Sequence, residues 1–156
     1  KSTKLDLLCI RPFNTFGPFQ SEKAIIPEII IKCLQNNEIK TTKGKQTREF
    51  NFVDNIIDGM LFLNKKIKNH IEPINLGSNQ PISIKDLVKK IHNYTYSKSK
   101  LKIGSLKYRP NEIWKMQADN KFIVNNIKWR PKISFDQGLR LSINWYRRFI
   151  ENNFNE

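Results

Sequence analysis

Apolar and polar positions along the chain fall into blocks with different periods. Residues 5 to 10, "LDLLCI", are apolar at nearly every position, the pattern of a strand buried in a parallel sheet. A stiff turn, "RPFNTFGP", follows. "AIIPEIIIKCLQNN" carries apolar residues at 26, 29, 30, 33 and 34, one face of a helix, with Pro27 in its first turn. "EIKTTKGKQTREFNFV" predicts two strands joined at Lys43-Gly44-Lys45. "DNIIDGMLFLNKKI" predicts a helix with Asp54 as N-cap, and "EPINLGS" a short strand ending at Gly77. "SIKDLVKKI" is a helix capped by Ser83 with Asp86 three residues on; Ile84, Leu87, Val88 and Ile91 form its stripe. "KLKIGSLKY" predicts a strand. "SFDQGLRLSINWYRRFI" predicts a closing helix with a Ser134/Gln137 capping box and a buried line of Leu139, Ile143, Tyr146 and Ile150. The tail "ENNFNE" is expected to fray. Strands alternate with helices, so the class is α/β or α+β.

Length and composition narrow the picture. The 156 residues suffice for one domain with a real core, and 38% hydrophobic content with mixed charges describes a soluble globular protein. No run of eighteen apolar residues exists, so no membrane span is expected. The first residues lack the long apolar segment and cleavage site of a signal peptide. They lack an initial Met and lead almost directly into a strand, so a chain cut from something longer is expected. Cys9 and Cys33 sit among aliphatic residues without metal-ligand spacing, as reduced core cysteines of a cytosolic protein do.

The formal net charge of +14 raises the question of nucleic acid or another anionic partner. The lysines are spread from end to end of a chain rich in Lys, Asn and Ile. Basic and aromatic residues do not interleave on one face, and no recognition motif occurs, so nucleic acid is not expected as a partner. A diffuse positive field would still attract an anionic substrate.

Three places could carry chemistry. On a strand, Arg48, Phe50 and Phe52 share one face and Thr47, Glu49 and Asn51 the other. A guanidinium among phenylalanines is partly desolvated and needs an anion, from a ligand or from an internal carboxylate such as Asp54 or Asp58. Spacing alone leaves both open. In "RPNEIW", Pro110 holds Arg109 extended and Glu112 follows three residues later, so this loop could grip a phosphate and a hydroxyl, or be merely solvated. Asn14 lies just past a parallel-type strand, where open α/β sheets place ligands; an Asx turn is the alternative. His70, in a Lys/Asn loop, and His92, on the polar side of its helix, have no metal-ligand partners. Trp114, Trp129 and Trp145 are expected to pack, and no nucleophile with a base is recognisable.

In order, "IRPFNTFGPFQ", "AIIPEII", "TREFNFVDNIIDGM", "INLGSNQPISIKDLV", "RPNEI" and "GLRLSINW" resemble the C-terminal half of extended short-chain dehydrogenase/reductases, the NAD-dependent nucleotide-sugar epimerases and dehydratases. The resemblance runs from about residue 5 to 150. It implies an α/β fold: most of residues 1–156 form the small nucleotide-sugar domain, with late Rossmann strands near 5–12 and 73–77 and the N-terminal NAD-binding domain outside this chain. It implies that Pro12 and Phe13 pack near the nicotinamide of NAD, and that Asn14 contacts the sugar-diphosphate region. Ala24 and Ile25 pass the diphosphate and base, Arg48 and Arg109 grip the diphosphate, and Glu112, more often Asp in the family, holds the ribose.

Two departures stand out: only Gly44 remains of the usual Gly-x-Gly, and Asn55 replaces an aspartate. The chain has no Gly-x-x-Gly-x-x-Gly. The Tyr-x-x-x-Lys from Tyr96 to Lys100 falls far downstream of the family's position and reads as coincidence. No catalytic residue is therefore expected in this chain, and no metal. The resemblance is nearest to 4,6-dehydratases of UDP-N-acetylhexosamine type in bacterial surface-sugar synthesis. A 4-epimerase or a UDP-glucuronate decarboxylase are the alternatives within the family, and a non-catalytic basic binding module is the alternative of another class. It further implies a cytoplasmic enzyme that forms a homo-oligomer, a dimer, when whole.

Overall fold

The computed structural model describes residues 7–68 and 70–153. Its α/β architecture agrees with the sequence pattern. Strand β1 (Leu8–Pro12) pairs in parallel with β6 (His70–Leu76), Ile10 facing Ile74 and Pro12 facing Leu76. Between them run β2 (Thr15–Phe16), α1 (Ile25–Leu34), β3 (Ile39–Thr41), β4 (Thr47–Glu49), β5 (Asn51–Phe52) and α2 (Val53–Lys66). After β6 come β7 (Pro81–Ser83), α3 (Ile84–Thr95), β8 (Leu101–Ile103), β9 (Lys115–Met116), a π-helical turn (Ile123–Ile127) and α4 (Phe135–Asn153).

The caps explain where helices start. Ser83 Oγ accepts from the Asp86 amide at 3.0 Å. Gln137 Oε1 accepts from the Ser134 amide at 3.0 Å while Ser134 Oγ accepts from the Gln137 amide at 3.2 Å, a complete capping box. The expected cap at Asp54 is not used. Helix α2 begins at Val53 with Phe52 as its N-cap, because Phe52 is already fixed in the pairing of β5 with β2. Asp54 instead occupies the first turn, where a carboxylate opposes the helix dipole favourably.

The expected hairpin does not form. β3 pairs in parallel with β8, and β4 lies between antiparallel β7 and parallel β9. The intervening loop is drawn onto the start of α3 instead: the Lys85 amide donates to Gly44 O at 3.0 Å and the Ile84 amide to Gln46 O at 3.1 Å. Gly44 has φ +64°, and a Cβ there would meet the Lys85 backbone at 2.6 Å, so the glycine is required twice over.

Two hydrophobic clusters result. The larger gathers α1, α3, α4, β2 and β5 around Ile30, Leu87, Val88, Ile91, Leu139 and Tyr146. The smaller joins α2, β6 and the π turn through Leu63, Ile74, Leu76, Ile123 and Trp129. The first strand is less buried than its composition suggests: β1 is half-buried to exposed, and Leu7 is 59% exposed. Residues 5 and 6 of the expected strand lie outside the described residues. The end of the chain is more regular than expected, since α4 continues to Asn153; residues 154–156 lie outside the description. His70 is the first residue of β6 and stacks on Phe122, while His92 is half-buried with Nε2 3.0 Å from Ser99 O. Of the tryptophans, Trp129 and Trp145 pack, but Trp114 is 52% exposed.

Candidate functional site

Gln46, Arg48 and Phe50 alternate along the β4 segment and line one side of a cleft of about 220 Å³, completed by Asn14, Ile25 and Ile84. Three residues singled out in the sequence, Asn14, Ile25 and Arg48, thus arrive at one place from three different elements. Asn14 does not make the Asx turn considered for it. Its Nδ2 reaches across to Glu49 O at 3.1 Å and Met116 Sδ at 3.4 Å, and its own backbone carbonyl accepts from the Asn51 amide at 2.8 Å. The turn is stiff because neighbouring Phe13 is held on both sides: its amide donates to Leu76 O at 3.0 Å and its carbonyl accepts from Asn51 Nδ2 at 3.2 Å. Pro12 pairs with Leu76 at the end of β1. Ala24 is the N-cap of α1, which places Ile25 at the cleft.

Arg48 has an internal partner, but neither Asp54 nor Asp58. Its Nη2 donates to Glu112 Oε1 at 2.9 Å and its Nη1 to Thr47 O at 2.8 Å. Both charged side chains are about 15% exposed, so the pair is substantially desolvated. A guanidinium carries five N–H donors. Two bonds leave the remainder free for an anion without breaking the pair. Asp58 is engaged elsewhere, accepting from Trp129 Nε1 at 2.8 Å and Lys132 Nζ at 2.7 Å.

Residues 104–114 form a strap over β4. The Thr47 amide donates to Trp114 O at 2.8 Å, the Lys45 amide donates to Tyr108 Oη at 3.0 Å, and Glu112 holds Arg48. Arg109 sits on this strap, exposed, and is not part of the cleft wall; it has no ion-pair partner among the described residues. Tyr96 is the left-handed C-cap of α3, with φ 53° and a side chain 87% exposed.

Sequence reasoning missed the opposite face of β4. Glu49 is fully buried and Asn51 nearly so. Glu49 Oε1 accepts from the Ser78 amide at 2.6 Å and Asn51 Nδ2 at 2.9 Å, and Oε2 from the Ala118 amide at 2.6 Å. The signal was present: a Glu at a position alternate to Phe50 and Phe52 on an inner strand has no route to water. The departure at Asn55 also has a structural use. Its Nδ2 donates to Ile133 O at 2.7 Å while its Oδ1 accepts from the Lys132 and Ile133 amides, each at 3.0 Å. An aspartate could not make the first of these bonds.

The sequence model of the GDP-mannose 4,6 dehydratase family matches residues 1–142. The chain belongs to this family, the NAD-dependent epimerase/dehydratases of extended short-chain type. A UDP-N-acetyl-α-D-glucosaminuronate decarboxylase from Bacillus cytotoxicus is 31% identical over 157 residues, covering 95% of this chain and 48% of the relative. A UDP-N-acetylglucosamine 4-epimerase from Methanobrevibacter ruminantium, solved with UDP-N-acetylmuramic acid, superposes with a TM-score of 0.79 at 27% identity, covering 95% of this chain and 47% of that one. The dTDP-glucose 4,6-dehydratase of Bacillus anthracis, solved with NAD, shares the fold at a TM-score of 0.78 and 21% identity, covering 91% and 44%. The chain spans about half the length of the curated relatives it matches. No helix among the described residues is long and apolar enough to cross a membrane.

Proposed function

We propose that this family member holds the nucleotide-diphosphate end of a nucleotide sugar for an NAD-dependent reaction. The observation that carries the reading is the convergence of Asn14, Ile25 and Arg48 on one cleft, with a desolvated guanidinium still able to donate. In this reading Arg48 binds the diphosphate inside the cleft, Arg109 approaches it from the strap, and Glu112, held by Arg48, accepts from the ribose. Asn14 orients the sugar. Its amide is fixed by Glu49 O and Met116, so little ordering remains when the ligand enters.

NAD is the cofactor of the family. The residues present fit an edge contact with it and no more. The twice-anchored Pro12–Phe13 turn at the end of β1 suits packing beside a nicotinamide ring. The six glycines, at 17, 44, 59, 77, 104 and 138, include no Gly-x-x-Gly-x-x-Gly spacing to cradle its pyrophosphate. When bound, NAD supplies hydride acceptance and return. This chain's part is to hold the sugar still against that exchange, where small misplacements are costly. The 156-residue chain alone is therefore expected to show no turnover with NAD added.

For the reaction, we favour 4,6-dehydration of a UDP-N-acetylhexosamine, with 4-epimerisation as the alternative. Decarboxylation of a UDP-N-acetylhexuronate is a second reading, supported by the 31% identity with the decarboxylase. Product analysis by NMR, with the gene product encoding this chain and whatever precedes it, separates them: a 4-keto-6-deoxy sugar, an inverted C4, or loss of CO2.

The grip itself is tested by titration. Arg48→Ala is expected to weaken UDP binding roughly tenfold to a hundredfold, as loss of a charge-assisted hydrogen bond would. Arg48→Lys should recover little, because an ammonium lacks the planar fork. Unchanged UDP affinity in a folded Arg48→Ala protein, with only its melting temperature lowered, would mean that Arg48 serves Glu112 alone.

A further inference from the structure

Two consecutive carbonyls of the turn after β1 end on one residue. The backbone amide of Asn51 donates to Asn14 O at 2.8 Å, and its side-chain Nδ2 donates to Phe13 O at 3.2 Å. The first bond accompanies the pairing of β2 with β5 and needs no particular side chain. The second needs this one. Thr15 Oγ1 adds a longer contact to the same Phe13 carbonyl, at 3.4 Å.

Asn51 can act in this way because its own amide is fixed. Only 3% of the residue is exposed. Its Oδ1 accepts from the Ser78 amide at 2.9 Å, and its Nδ2 also donates to Glu49 Oε1 at 2.9 Å. Turning the amide over would set its carbonyl against Phe13 O and the Glu49 carboxylate, so the surroundings decide its orientation. Glu49 is itself pinned by the Ser78 and Ala118 amides, each at 2.6 Å. A line of hydrogen bonds thus runs from two backbone amides, through a fully buried carboxylate and a buried amide, to the peptide between Phe13 and Asn14. Stability alone does not call for this arrangement, because an apolar pair in the same place would avoid the desolvation. What the polar pair adds is direction. Asn14 leaves the turn at the peptide that Asn51 holds, and rotation of that peptide would re-aim its side chain in the cleft.

We infer that Asn51 is a positioning residue: it fixes the Phe13–Asn14 peptide, and through it the angle at which Asn14 meets the sugar. It does not itself line the cleft. The inference rests on the reading of the cleft as a nucleotide-sugar site.

The test uses the gene product encoding this chain and whatever precedes it, with Asn51→Leu, an apolar side chain of similar shape. Asn51→Thr is a second variant that suits a strand; its single hydroxyl hydrogen cannot serve both Glu49 and Phe13 O. Calorimetric titration should leave UDP affinity unchanged in either variant and weaken UDP-N-acetylglucosamine roughly threefold to tenfold. Hydrogen exchange should quicken at the Phe13 amide, while the Ser78 amide, still held by Glu49, stays protected. A purely structural asparagine would lower the melting temperature and leave both affinities unchanged in the folded variants, and that result overturns the inference. So does a parallel loss of UDP and UDP-N-acetylglucosamine, which would mean that the whole cleft had shifted. A wild type that binds UDP but not UDP-N-acetylglucosamine leaves Asn14 no sugar to orient and overturns it as well. Failure of the wild type to bind UDP at all would overturn the functional reading itself, a separately visible result.

Discussion

The two hydrophobic clusters solve the burial problem differently. In the larger, α1, α3 and α4 cover one another and β2 and β5, and the apolar stripes end inside. In the smaller, α2 covers one side of the β1–β6 pair, yet Ile57 and Leu61 of the same helix are 50% and 58% exposed and Leu7 is 59% exposed. Parallel sheets are ordinarily buried on both faces and extended by further strands. Among the described residues, β1 and β6 have only each other. The cleft belongs to the self-contained region, and the turn at Pro12–Phe13 belongs to the region that asks for more cover. The cleft wall on β4 and α3 stands on the first, while Asn14 is held to the second through the bond of its neighbour Phe13 to Leu76 O.

The strongest way to break this comparison is to cut the seam. Glu49 ties β4 to the Gly77–Ser78 end of β6 and to Ala118, which leads into the π turn. Gly77 is required beside it, since a Cβ there would run into the Glu49 carboxylate. Glu49→Leu would leave the Ser78, Ala118 and Asn51 donors unmatched. At ~1–3 kcal/mol for each buried unsatisfied group, the expected loss is about 3–5 kcal/mol by urea denaturation. Hydrogen exchange should rise first in β6, and only later in α1 and α3. A loss below ~1 kcal/mol, or uniform exchange, would show that the two regions do not depend on this carboxylate.

A milder change sharpens the comparison from the outside. The exposed Leu61 and the open edges of β1 and β6 should make the 156-residue chain self-associate at high concentration. Leu61→Lys should move sedimentation towards the monomer while changing stability by no more than ~0.5 kcal/mol. An unchanged distribution would place the association surface elsewhere.

These regions were not equally legible in the sequence. Helices α3 and α4 are legible because apolar period and capping residues agree, at Ser83 and Ser134; α1 is legible from its apolar period and Pro27 alone, since its N-cap, Ala24, makes no side-chain bond. Asn14, Ile25 and Arg48, singled out through a family resemblance, line one cleft in the structure, whereas spacing alone left Arg48 between a ligand and a carboxylate. The structure finds that carboxylate in Glu112, sixty-four residues away and invisible to any local pattern. The hairpin failed for a related reason. Gly44 looked like a turn, but its left-handed φ serves a contact with α3, and partners β7, β8 and β9 come from later in the chain. Glu49 is not legible as a buried anchor because two of its donors, the Ser78 and Ala118 amides, are backbone groups, which no side-chain motif records.

The smallest expected effect concerns Asp58, the ion-pair residue of the less covered region. The hydrogen bond from Lys132, and then that from Trp129 Nε1, hold its carboxyl below the usual range, against a weaker opposing effect of burial. A depressed carboxylate pKa means that the folded state binds its proton later than the unfolded chain does. The associated stability is therefore present above the unfolded value of about 3.9 and lost as pH falls through the folded one. Lys132 is 73% exposed, so solvent and salt screen the pair and its worth lies in the ~0.2–1 kcal/mol band of surface ion pairs. Trp129, 3% exposed in the smaller cluster, supplies a local reporter. Its fluorescence in urea should show less stability at pH 3 than at pH 7, and Lys132→Met should shrink that difference while leaving the Trp129 hydrogen bond in place. Raising the salt should narrow the gap between the two proteins. An identical pH dependence in wild type and Lys132→Met would show that Trp129, not the lysine, is what Asp58 is there to hold.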